Sequence, residues 1–112
     1  HPDLDAIFCN NDTMALGVQE AVNASGKDIL VVGVDGIGEA YDSIRAGEMD
    51  ATVDSFPYYK GQIAVEVGLR VLGGQELPRV VWTPQALIDR TNVDTNAAEI
   101  IDWSEPEFMD VQ

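Results

Sequence analysis

Short apolar runs alternate along the chain with segments whose apolar residues recur at helical spacing, and polar or glycine-rich punctuation separates them. Residues 6–9 (Ala6, Ile7, Phe8, Cys9) form an apolar run that breaks at Asn10, Asn11 and Asp12. From Met14 the spacing turns helical, with Met14, Ala15, Val18, Ala21 and Val22 on one face. Asp12 or Thr13 is expected to cap this helix and Ser25-Gly26 to end it. Residues 29–34 are apolar without alternation, the pattern of a strand covered on both faces in a parallel sheet, and they stop at Asp35-Gly36. A second helix over 39–46 turns Ala40, Tyr41 and Ile44 inward and ends at Gly47. A third strand over 51–53 then runs into Asp54-Ser55-Phe56-Pro57.

The longest helix is expected over 58–72, where Ile63, Ala64, Val67, Gly68, Val71 and Leu72 form an apolar stripe closed by Gly73-Gly74. Gly61 and Gly68 lower helix propensity, so close backbone packing is expected at both. Residues 80–88 are rich in β-formers but contain Pro84, which restricts them to an edge strand or a crossing segment. The pattern supports a short helix over 97–103 and a frayed end over 104–112. Strand and helix alternating three times predict an α/β fold: a doubly wound, mostly parallel open sheet with flanking helices. Residues 1–95 are expected to form that unit and 96–112 an acidic C-terminal tail.

Composition narrows the function. A length of 112 residues suits one compact domain, and no apolar run is long enough to span a bilayer. His1-Pro2 carries neither an initiator methionine nor a leader, so a mature, cleaved or excised piece is expected. Six basic against twenty acidic residues give a net charge of −14, which repels a phosphate backbone and excludes nucleic acid as a partner. No basic residue follows Arg90, and the acidic end reads as a solvated surface. Cys9, the single cysteine, sits in an apolar run and reads as a buried small hydrophobe.

In open parallel sheets ligands lie beyond the carboxyl ends of the strands, where strand-to-helix loops converge. That rule selects Asn10, Asn11 and Asp12 after the first strand, Asp35 and Gly36 after the second, and Asp54 and Ser55 after the third. Amides, carboxylates and a hydroxyl suit a neutral polyhydroxyl ligand, since each can accept from or donate to sugar hydroxyls. Asn11 and Asp12 also serve plainly as cap or turn residues, and Asp35-Gly36 as a common turn.

Catalysis has little to stand on. His1, the one histidine, is terminal, so no Ser-His-Asp or Cys-His arrangement has a fixed base. Gly33, Gly36 and Gly38 have the wrong spacing for a dinucleotide cradle. Asn92, Asp94 and Asn96 imitate the start of a calcium loop, but Ala97 and Trp103 stand where the glycine and the glutamate belong, and the stretch reads as a polar turn. No enzyme activity, cofactor or metal is expected.

The stretch from His1 to Phe8, the run from Asn10 to Gly17, the segment Val31-Val32-Gly33-Val34-Asp35-Gly36, and Ala46-Gly47 before Ala51-Thr52-Val53 together resemble the ribose-binding branch of the type I periplasmic sugar-binding proteins, over about residues 1 to 95. The resemblance implies a C-terminal lobe fragment in which Asn11, Asp35 and Ser55 occupy sugar-contact positions. Ser55 departs from the family glutamine, which puts the identity of the sugar in doubt. It implies, too, a periplasmic or extracytoplasmic location, by a lipid anchor in a Gram-positive parent, and a membrane ABC permease as partner of the full-length protein. Family members are at least about twice this length, so the chain would form one wall of the cleft, bind sugar weakly or not at all when isolated, and expose a sheet edge that invites a homodimer. The alternative is the effector-binding domain of a lac-repressor-family regulator, against which the 82–94 ending weighs.

Overall fold

A computed structural model describes residues 1–101 and the backbone of Phe108–Met109. The elements follow in the order β1 (Ala6–Phe8), α1 (Asp12–Ser25), β2 (Leu30–Asp35), α2 (Gly38–Ala46), β3 (Ala51–Asp54), α3 (Pro57–Leu72), β4 (Val80–Val81), β5 (Ala86–Asp89), α4 (Ala97–Ile100) and β6 (Phe108–Met109). They fall into two compact units, His1–Asp54 with Ala86–Thr95, and Ser55–Gln85 with Asn96–Gln112.

The first unit is a mixed α/β open sheet with flanking helices, in the strand order β1-β2-β3-β5. β1, β2 and β3 are parallel, with Phe8 opposite Val32 and Asp35 opposite Asp54, so their carboxyl ends share one edge. β5 runs antiparallel to β3, pairing Ala86 with Asp54 and Asp89 with Ala51. Pro84 lies between β4 and β5, so the 80–88 run is two strands and not one. The core gathers Cys9, Ala15, Val22, Val31, Ala40, Ile44, Met49, Ala51 and Ile88. Cys9 is buried, as expected. β2 is less covered than its sequence suggests: Val31 and Gly33 are buried, Val32 and Val34 are half-buried, and Leu30 is exposed.

Helix ends follow the sequence signals. Gly26 and Gly47 adopt left-handed conformations at the ends of α1 and α2, which only glycine takes without a steric cost. The face of α1 differs from the apolar spacing: Asp12, Ala15, Gln19 and Val22 are buried, whereas Met14 and Ala21 are exposed. Two polar residues lie on the inner face, so counting apolar positions alone rotates the helix by part of a turn.

In the second unit, β4 pairs antiparallel with β6, within the 104–112 stretch expected to be frayed. α4 covers the start of the expected 97–103 helix, and Asp102 and Trp103 lie outside the described residues. α3 forms as the spacing predicts, but Ile63 is its one buried residue. Val65, Leu69, Val71 and Leu72 are exposed, and a Cβ at Gly61 or Gly68 would meet open space, so the expected close packing at these glycines does not occur. The apolar pattern of α3 has no covering surface among the described residues.

Candidate functional site

The shared carboxyl edge of β1 and β2 is organised around Asp12, the first residue of α1. Its side chain is fully buried. Oδ2 accepts hydrogen bonds from the amides of Gly36 (2.8 Å) and Ile37 (3.0 Å), and Oδ1 accepts from the Thr52 hydroxyl on β3 (2.6 Å). A buried carboxylate is costly unless its oxygens are hydrogen-bonded, and here three donors reach them. The group lies at the start of its own helix and bonds the two residues that precede Gly38, the first residue of α2. Both helix N-termini favour a negative charge there. Ile37, the N-cap of α2, makes no side-chain cap hydrogen bond, and its own amide is one of the two that Asp12 holds.

This corrects the expectation that Asp12 or Thr13 caps α1. Asn11 is the N-cap: its backbone is extended and its Oδ1 accepts from the Met14 amide at 2.8 Å. The partly exposed Asn11 side chain therefore stands at the rim beside the buried brace.

Asp35 ends β2 with an exposed side chain and φ of 125°, a conformation that L residues rarely adopt. Gly36 follows with φ of 81°. Asp54, the register partner of Asp35, is buried, and a Cβ placed on Gly36 would lie 2.2 Å from its carboxyl carbon. The Tyr41 hydroxyl donates to Asp54 Oδ2 at 2.8 Å. Burial, this hydrogen bond and the adjacent carboxylate charge together hold the Tyr41 phenol well above the usual tyrosine range, against the opposing pull of Arg45, whose guanidinium lies 5.7 Å from the ring centre.

The structure thus brings Asn11 and Asp35 to one edge of the sheet, joined through Asp12. Ser55, expected from the resemblance as a third sugar contact, follows Asp54 in the chain and opens the second unit, where it is half-buried. Asp12 was selected at the strand end, but its buried bracing role escaped the sequence reading, as did Tyr41 as a site residue altogether. The available signal for Asp12 was Gly33 within the apolar run of β2, since a Cβ there would lie 2.2 Å from Asp12 Oδ1. The calcium-like stretch is a turn: Asn92 Oδ1 accepts from the Asp89 amide, and Asp94 pairs with Arg45 at 2.7 Å. The Thr91 hydroxyl and amide bond the Asp89 carboxylate and lower its pKa.

Residues 1–76 match the family model described as a periplasmic binding protein domain. The chain belongs to this family. Within these periplasmic binding proteins it is similar to the ribose import binding protein of Bacillus subtilis, 44% identical over 87 residues, a match covering 78% of this chain and 28% of that protein. It also resembles the D-allose-binding periplasmic protein of Escherichia coli, 52% identical over 59 residues, covering 51% of this chain and 19% of that protein. Among solved structures, a periplasmic solute-binding protein from Actinobacillus succinogenes with bound D-allose superposes with a TM-score of 0.78 at 34% identity, over 83% of this chain and 33% of that one. A periplasmic ribose ABC transporter protein from Conexibacter woesei gives a TM-score of 0.77 at 36% identity, over 84% of this chain and 33% of that one. The chain therefore spans about a third or less of each of these proteins. The ribose-binding resemblance is borne out, and the repressor alternative gains nothing from these matches.

Proposed function

We propose that the chain is part of the sugar-binding component of an ABC-type uptake system, residues 1–95 contributing one wall of the ligand cleft and 96–112 an acidic tail. The observation that carries this reading is the placement of Asn11 and Asp35 at the ends of adjacent parallel strands, braced to one another by Asp12. An amide and a carboxylate held at fixed separation can receive and donate hydrogen bonds to the hydroxyls of one sugar or polyol ring. Ser55 is assigned as the third contact, and binding rather than catalysis is the role. The relatives' names support a periplasmic or extracytoplasmic location for the complete protein; a lipid anchor in a Gram-positive parent and delivery of the ligand to a membrane permease belong to the same proposal. In isolation the chain pairs with a second copy through the open edge of β1, where Phe8 is 65% exposed.

The test is calorimetric titration of D-ribose, D-allose and myo-inositol into the complete protein that carries this chain. At least one should bind, and Asn11→Ala and Asp35→Ala should each weaken it by about tenfold or more. Asn11→Ser keeps the helix cap but shortens the reach, so it should lose affinity with little loss of stability. Affinity that both alanine substitutions leave untouched would remove the basis for the reading.

A further inference from the structure

Asp12 is fully buried and cannot touch a ligand, yet its carboxylate holds the two amides that immediately follow Asp35. Asp35 itself sits at a backbone angle that an L residue does not keep without external restraint. The turn is held from two sides. Asp12 takes the Gly36 and Ile37 amides, and the Asp54 carboxylate, fixed by Tyr41, lies against Gly36 so closely that no side chain fits between them. We infer that Asp12 is a positioning residue for ligand binding: it sets the direction of the Asp35 carboxylate before the sugar arrives, so that the ordering of the turn is not charged against affinity.

The inference rests on the sugar-binding reading, because it assigns Asp12 a role through the Asp35 contact. Thr52 extends the same brace to β3, tying the turn to the sheet. An asparagine at position 12 can still accept from both amides through Oδ1 and donate through Nδ2 to the Thr52 hydroxyl. An alanine can do neither, which gives the brace a conservative rescue.

The complete protein carrying Asp12→Ala, Asp12→Asn, Thr52→Val or Val22→Ala is compared by titration with whichever of D-ribose, D-allose and myo-inositol the wild type binds. Amide hydrogen exchange at Gly36 and Ile37 is measured in the ligand-free state. Asp12→Ala should weaken binding by about tenfold or more and speed exchange at both amides. Asp12→Asn should recover most of that loss. Val22→Ala, a core truncation in α1 remote from the rim, should lower the melting temperature while leaving affinity and those two amides as in the wild type. Should Asp12→Ala not fold, Thr52→Val should show a severalfold affinity loss and faster exchange at the same amides. Affinity and exchange in the Asp12 or Thr52 variants no different from Val22→Ala, or asparagine no better than alanine, would overturn the inference. Binding of none of the three ligands by the wild type would instead defeat the sugar reading, and amide exchange would still decide whether Asp12 holds the turn.

Discussion

The Thr52 hydroxyl donates to Asp12 Oδ1 at 2.6 Å across 40 residues of sequence, both groups fully buried. This bond joins the first helix to the third strand. Thr52→Val keeps the shape and removes the donor, leaving a buried carboxylate short of one partner, and should lower stability by about 1 to 3 kcal/mol. Thr52→Ser should retain most of it. Thermal unfolding of the two variants side by side checks the claim, and equal losses would mean that packing, not the hydrogen bond, matters there.

Gly33 faces the same carboxylate. A methyl group at this position would lie 2.2 Å from Asp12 Oδ1 and 3.1 Å from the Ala15 side chain. Gly33→Ala should therefore push α1 off the sheet and cost about 2 kcal/mol or more. A denaturation midpoint unchanged from wild type would show that the helix yields freely.

Asp35 combines exposure with a φ of 125°. Asp35→Gly relieves a backbone strain of about 1 kcal/mol or more, so the variant should melt above the wild type even though glycine loses more entropy on folding. Sugar affinity should fall in the same variant. Gain of stability with loss of binding would mark a strain retained for ligand contact; a lower melting temperature would contradict it.

Tyr41 predicts a pH effect. Its folded-state pKa lies above the unfolded value of about 10, so above that pH the unfolded chain binds fewer protons than the folded one and stability falls as pH rises. The contribution is fully present below pH 10. Tyr41→Phe should flatten this alkaline slope while costing stability at neutral pH through the lost bond to Asp54. Parallel slopes above pH 10 for the two proteins would refute the assignment.

The parts of the fold legible in the sequence are those governed by local rules. Gly26 and Gly47 mark helix ends because left-handed backbone suits glycine, and the apolar run before Asp35 marks a strand because uninterrupted apolar residues need cover. Asp12 was misread for a physical reason: an acidic residue at a helix start is ordinarily a solvated cap, and its burial depends on Gly36, Ile37 and Thr52, which lie far along the chain. The placement of Asn11 and Asp35 at one edge of the sheet was legible from strand ends alone. The stripe on α3 was legible as amphipathic but not as exposed, since periodicity counts apolar positions and not the surfaces available to cover them.

The pairing of Asp54 with Ala86 has a topological consequence. The residue at which the chain leaves the first unit and the residue at which it returns are direct neighbours on antiparallel strands, the spacing that a two-residue reverse turn bridges. Everything between them is thus an insertion at the tip of a hairpin. An Asn-Gly splice from Asp54 to Ala86 would close the ladder without altering its register, leaving the rim around Asp12 on a scaffold whose path is otherwise unbroken.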